Sequence, residues 1–142
     1  MRTFQVLFLL SLFVGCRQNT IPGLVPVAGT VSIDQKPLQG AMVVFIPVDD
    51  TSGVGGSGRT QADGSYQLKY LRGGAGVFPG KYKVVVSKRV MPDGSPLPDD
   101  DETPPHESPA RESLPPHFSG REQTRLTAVV PETGGQIHLE LK

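Results

Sequence analysis

The chain has 142 residues, and its 14 basic and 14 acidic side chains give a formal net charge of zero. A neutral chain without a basic face does not fit nucleic-acid binding, and after the N-terminal segment no apolar run reaches the length of a membrane span. Its 17 glycines and 14 prolines follow no regular period, which excludes a collagen-like chain and favours short strands joined by turns.

The first residues, MRTFQVLFLLSLFVGC, have the pattern of an export signal. Arg2 precedes a mainly apolar stretch over residues 4–14. That stretch is too short to cross a membrane comfortably, but it has the length of the apolar region of a signal peptide. We therefore predict a signal peptide over residues 1–15.

The end of this segment resembles a bacterial lipobox, in which a small residue precedes a cysteine that receives diacylglycerol; its residues are Leu12-Phe13-Val14-Gly15-Cys16. The resemblance implies cleavage after Gly15 and lipidation of Cys16, although Phe13 stands where leucine is usual. Cys16 is the only cysteine, so it has no intramolecular disulfide partner. Residues 16–24 then form a lipidated tether. The protein is expected to be exported and held on a membrane of the cell envelope, and Arg17 favours the outer membrane.

Strand patterns begin after the tether. Apolar residues alternate over residues 25–33, which predicts a half-buried strand. The continuous apolar run at 41–46 predicts a central strand, and residues 34–40 between them form a turn. Residues 48–58 are predicted to form a flexible loop.

The dipeptide Asp63-Gly64 is the strongest turn signal in the chain. Gly64 accepts a positive φ and the Asp63 side chain can bond to the backbone, so we predict a tight structural turn here. Tyr66, Leu68 and Tyr70 then alternate on one face of the strand that leaves the turn.

The second half contains a long break between strands. A strand is predicted at 82–87, and residues 89–119 follow with eight prolines and the acidic run Asp99-Asp100-Asp101-Glu102. Such a segment cannot bury a core of its own, so we predict a largely disordered insertion. Strands at 124–130 and 136–141 close the domain. About seven strands and no helix predict an all-β, antiparallel Greek-key β-sandwich over residues 25–142.

Five short segments, taken together and in this order, resemble the carboxypeptidase regulatory-like domain as small bacterial lipoproteins carry it. They are VAGTV at 27–31, KPLQGA at 36–41, VFIP at 44–47, TQADGSY at 60–66 and PGKYKV at 79–84. The resemblance implies a transthyretin-like (prealbumin-like) sandwich. It implies a fold and not an activity.

The residues that could carry chemistry do not form a recognised set. His106 and His117 lie in the proline-rich segment, His138 alternates outward on the last strand, and no pair of them has zinc-ligand spacing. The acidic run lacks the spaced carboxylates of a calcium loop. No catalytic, metal or cofactor residues are therefore assigned, and the protein is not expected to be an enzyme.

Three functions stay open. The first is a membrane-anchored, non-catalytic structural or interaction module of the cell envelope, whose partner would be an envelope protein. The second is a carbohydrate-binding module, in which Tyr70 or Tyr82 would contact the glycan. The third is an unrecognised hydrolase.

Overall fold

A computed structural model describes residues 20–98 and 100–142 of the chain. The predicted signal peptide, Cys16 and Asp99 lie outside the described residues, as do residues 17–19 of the tether. The described residues form twelve strands and one short helix: β1 (Val27–Ile33), β2 (Lys36–Pro37), β3 (Met42–Pro47), β4 (Gly56–Arg59), β5 (Ser65–Gln67), β6 (Lys69–Tyr70), β7 (Gly80–Ser87), β8 (Arg89–Val90), β9 (Arg111–Glu112), α1 (Pro116–Ser119), β10 (Leu126–Val130), β11 (Gly135–Gln136) and β12 (Leu139–Leu141).

Two five-stranded sheets face each other across one core, which makes the fold all-β, as the sequence predicts. The first sheet is centred on β1, which pairs with β2, β5, β11 and β12. The second sheet has the order β10-β7-β3-β4-β6, and all of its pairs are antiparallel. The strands β8 and β9 form a separate two-stranded antiparallel sheet.

Three aromatic side chains fill the space between the sheets. Phe45 of β3 is fully buried, and its ring centroid lies 5.5 Å from that of Tyr82 and 6.5 Å from that of Tyr66 in the first sheet. The predicted alternation of Tyr66, Leu68 and Tyr70 is confirmed, because all three side chains are buried. The apolar residues that alternate along the strands therefore form one continuous core.

The strand registers define two ends of the sandwich. The chain enters the sandwich at one end, which we call "the tether end". This end carries Val25, Pro47, Tyr70, Gly80 and Gly135. We call the opposite end the insertion end; it carries Ile33, Met42, Arg59, Ser87 and Leu141. The backbone amide of Val25 donates to the carbonyl of Val77, and so the end of the tether is fixed to the tether end.

Three features differ from the sequence predictions. The strand β1 pairs in parallel with β11 and β12, so the first sheet is mixed rather than antiparallel. The predicted loop at 48–58 contains the strand β4, which is rich in glycine and therefore has no apolar pattern to reveal it. There are more strands than seven because several predicted strands are interrupted, for example at Leu68 between β5 and β6.

The proline-rich segment, expected to be largely disordered, contains β8, β9 and α1 among its described residues. Leu114 and Phe118 are buried in the main core, and α1 packs against β7. Proline is tolerated in the first helical turn, so Pro116 can begin a helix that brings Phe118 inward. Among the described residues, α1 is the one helix, and it has four residues. No helix in this part of the chain is long and apolar enough to cross a membrane.

Candidate functional site

The predicted turn at Asp63-Gly64 lies at the insertion end. Gly64 has a φ of +78°, and a Cβ there would approach the carbonyl oxygen of Val31 to 2.6 Å. The Asp63 carboxylate accepts hydrogen bonds from the backbone amide of Ser65 at 3.0 Å and from its hydroxyl at 2.6 Å. Both hydrogen bonds lower the pKa of Asp63, the hydroxyl contributing more. These side chains fix the turn in place, which is a structural role.

A second turn has the same chemistry. Asp93 accepts from the amide of Ser95 at 3.0 Å and from its hydroxyl at 2.6 Å, and Gly94 has a φ of +85°. The same hydrogen bonds lower the pKa of Asp93. The sequence prediction does not include this turn, although the tripeptide Asp-Gly-Ser occurs at both places. The turn lies at the tip of a short hairpin, closed by the pairing of Val90 with Pro96, at the start of the proline-rich insertion.

Tyr70 and Tyr82, the residues considered for glycan contact, are part of the core. Tyr70 is 7% exposed and Tyr82 is 1% exposed. The Tyr82 hydroxyl donates to the carbonyl of Phe78 at 2.7 Å, and the Tyr70 hydroxyl accepts from the amide of Val54 at 3.2 Å. Burial, with a smaller contribution from Tyr70, raises the pKa of Tyr82. Neither ring presents a face on which a sugar could stack.

The three histidines lie in separate places. His106 is exposed with its Nε2 3.3 Å from a carboxylate oxygen of Glu107, and His117 lies on the ring of Phe118. His138 shares a 2.9 Å hydrogen bond with the Thr30 hydroxyl on the outer face of the first sheet. Within residues 20–98 and 100–142, no three histidine, cysteine, aspartate or glutamate side chains come close enough together to hold a metal ion.

The acidic run has a local role in the described residues. The Asp101 carboxylate accepts from the backbone amide of Thr103 at 2.9 Å. Hydrogen bonds from Thr103 lower the pKa of Asp101, and the charge of Arg89 contributes a smaller part of the shift. Arg89 itself donates to the carbonyls of Ala110 and Pro105, at 2.6 and 3.3 Å, and so ties the two sides of the insertion together.

A shallow groove of about 320 Å³ crosses the first sheet at the tether end. Its lining has no charged side chain, and it combines apolar groups with amides and a hydroxyl. The lining residues are Pro26, Val27, Ala28, Gln67, Leu68, Ala75, Gly76, Thr133, Gly135 and Gln136. The amides of Gln67 and Gln136 can both donate and accept hydrogen bonds, and so the groove suits a neutral polar ligand.

The structure does not bring all of the predicted site residues together. The turn at Asp63-Gly64 lies at the insertion end of the fold, whereas the groove lies at the tether end. It combines residues from distant parts of the chain, and no single motif marks it. Comparison with protein-family models, with curated proteins and with solved structures found no match for this chain.

Proposed function

We propose that this chain is an exported lipoprotein whose β-sandwich is a non-catalytic structural or interaction module of the cell envelope. The observation that carries the proposal is the lipobox-like end of the signal segment, with Cys16 directly after Gly15. Acyl chains contribute about 0.8 kcal/mol per buried methylene, so multiple chains on Cys16 would hold the protein on a membrane almost irreversibly.

The short tether supports this arrangement. Residues 17–24 lie between Cys16 and the first contact of the chain with the fold, which is the pairing of Val25 with Val77. Eight extended residues reach about 28 Å at most. A lipid on Cys16 would therefore keep the tether end of the sandwich near the membrane, and the insertion end would point into the surrounding compartment.

We further propose that the sandwich is transthyretin-like with Greek-key connections, as the resemblance to the carboxypeptidase regulatory-like domain implies. Glycines in the matching segments support this proposal. Gly64 and Gly80 have φ values of +78° and +146°, and a Cβ on Gly29 would overlap the carbonyl of Ile137. At these positions the backbone itself requires glycine.

The membrane anchor can be tested directly. We expect the mature protein to begin at Cys16, with the mass of attached acyl chains on its N-terminal peptide. Cys16→Ala should move the protein out of the membrane fraction, because the acyl chains would be lost. Ser11→Ala changes a polar residue within the same signal and serves as the matched control, which should stay with the membrane. Retention of Cys16→Ala in that fraction, at the wild-type level, would contradict the proposal.

Neutral glycan binding is a second candidate function, and the groove at the tether end favours it. Its amide and hydroxyl groups match the hydrogen-bonding needs of sugar hydroxyls. Because Tyr70 and Tyr82 are buried, the informative variants are Gln67→Ala and Gln136→Ala. A glycan array should show binding that both variants lose and that Gln61→Ala, at the insertion end, retains. An array without signal would exclude this function for the glycans it carries.

A further inference from the structure

The outer face of the second sheet combines basic and apolar side chains. Alternation along β3 and β7 turns Phe45 and Val84 into the core, and their neighbours face outward. The strands of this sheet contain no acidic residue. Their basic residues are Arg59, Lys69, Lys81 and Lys83, and the outward apolar residues that keep part of their surface exposed are Met42, Val44, Ile46 and Val129.

Charge is segregated along this neutral chain. Residues 89–119 contain seven acidic and two basic residues, so the excess of positive charge lies in the rest of the molecule. The insertion leaves the sandwich after Ser87, at the insertion end. The molecule therefore has an acidic end far from the tether and a basic face on one sheet. Such a distribution orients a protein in front of a charged surface.

The large apolar side chains that are most exposed in the described residues lie near the tether. Val129 is 67% exposed and Leu71 is 54% exposed. Val129 lies on the edge strand β10 opposite Lys81, and Leu71 follows β6 at the other edge of the same sheet, beside Arg72. Both corners of the basic face at the tether end thus carry an apolar side chain next to a cation.

We propose that the tether-end part of the outer face of the second sheet, around Lys69, Lys81 and Val129, contacts anionic phospholipid headgroups and so orients the domain on the membrane. The proposal rests on the anchoring of Cys16 described above. Lipid on Cys16 would bring the domain to the membrane, and basic residues near an anionic surface would then add an attraction that favours one orientation. Basic residues near such a surface each strengthen binding about fivefold, and exposed apolar residues insert at the boundary between headgroups and acyl chains.

The first sheet does not offer the same surface. Its strands contain one basic and one acidic residue, Lys36 and Glu140, and its outer face is otherwise polar and neutral. On the second sheet, Lys81 lies 3.9 Å from Asp49, but both side chains are mostly exposed. An exposed pair of this kind is weak, and so Lys81 can exchange Asp49 for a lipid phosphate.

The test uses the full, processed chain on vesicles of phosphatidylcholine alone or mixed with phosphatidylglycerol, which carry a quencher at headgroup level. A fluorescent thiol label is placed at Val129→Cys, or at His106→Cys in the insertion. We expect quenching of the label at position 129 on the anionic vesicles, and its loss in high salt, because salt screens exposed charges. The label at position 106 should stay unquenched on both kinds of vesicle.

Two matched triple variants separate this face from overall charge. Lys69→Gln, Arg72→Gln and Lys81→Gln together should abolish the quenching at position 129. Lys36→Gln, Arg111→Gln and Lys142→Gln remove the same charge elsewhere, on the first sheet and in the insertion, and should leave it unchanged. Equal quenching on neutral and anionic vesicles, an equal effect of the two triple variants, or stronger quenching at position 106 would overturn the proposal.

Failure of the anchor gives a different result. The parent chain has Cys16 as its only cysteine, so labelling of the parent, or its failure to float with neutral vesicles, would reject lipidation. In that case flotation of the chain with anionic but not neutral vesicles, lost in the first triple variant alone, would still support the lipid-binding face. Flotation with neither kind of vesicle would reject both.

Discussion

The contact among Gly29, Tyr66 and Ile137 provides the sharpest test of the fold. Gly29 lies opposite Tyr66 in the pairing of β1 with β5, and the Tyr66 hydroxyl donates to the carbonyl of Ile137 at 2.6 Å. A Cβ on Gly29 would overlap that carbonyl and would come within 3.1 Å of the Tyr66 ring. Gly29 is therefore the residue that allows the Ile137 carbonyl to reach the tyrosine.

The structure sets the size of each effect. Tyr66→Phe removes one donor from a carbonyl at the edge of the core, and we expect the free energy of unfolding to fall by about 1–3 kcal/mol. Gly29→Ala must displace the Ile137 carbonyl, so it loses the same hydrogen bond and adds an overpacking cost of about 1–3 kcal/mol. Because the bond is already broken in Gly29→Ala, the double variant should be no less stable than Gly29→Ala alone.

Urea unfolding of residues 20–142, followed by tyrosine fluorescence and circular dichroism, measures the cycle. The expected coupling between the two substitutions is about 1–3 kcal/mol. Gly73→Ala is the matched control: a Cβ there meets nothing within 4 Å, although φ is +93°, so it should show backbone strain but no coupling to Tyr66→Phe. Additive effects of Gly29→Ala and Tyr66→Phe would refute the steric reasoning.

Three further predictions concern the insertion end. Ser65→Ala should raise the pKa of Asp63 toward the ordinary value for aspartate, and carboxyl chemical shifts would measure the change. In the wild-type protein the lowered pKa of Asp63 stabilises the turn at pH values above the unfolded-state pKa. This stabilisation is lost as the pH falls through the folded-state pKa. Phe118→Ala should lower the free energy of unfolding by about 3–5 kcal/mol in urea, whereas its exposed neighbour His117→Ala should change it by less than about 0.5 kcal/mol; equal effects would mean that α1 does not pack on β7. Glu112→Gln should speed amide hydrogen exchange where the insertion begins and ends. The reason is that the Glu112 carboxylate accepts hydrogen bonds from the hydroxyl of Ser87 and from the amides of Lys88 and Leu114. Unchanged exchange at these amides would contradict this role.

Strands with alternating apolar residues, or with a continuous apolar run, could be predicted from the sequence because burial of their side chains determines the pattern. Residues 25–33, 41–46 and 82–87 each became a strand at nearly the predicted bounds. Short polar strands were not predictable, since β4 reads GSGR and has no apolar side chain to face a core. Its position is set by its neighbours β3 and β6, which supply the hydrogen bonds.

The prediction that the insertion is largely disordered was wrong for its C-terminal part, because it depended on the amino-acid composition of the whole segment. Its prolines and acidic residues do describe its exposed part, but Ala110, Leu114 and Phe118 are buried near its end. Ala110 and Leu114 lie on either side of β9 and Phe118 lies in α1, so no single hydrophobic period marks them in the sequence. The groove beside Gln67 and Gln136 has no sequence signal, because residues of β1, β5 and β11 and of the segment around Ala75 form it together.

The parallel pairing of β1 with β11 and β12 also determines when this domain can fold. Thr30 and His138, which share a hydrogen bond, are 108 residues apart in the sequence. Until residues 135–141 have been made, β1 has one open edge, and contacts of such long range form slowly. The N-terminal strand therefore gains its full set of partners only when the C-terminal strands are present. The arrangement of strands thus makes completion of the first sheet one of the last events in the folding of this domain.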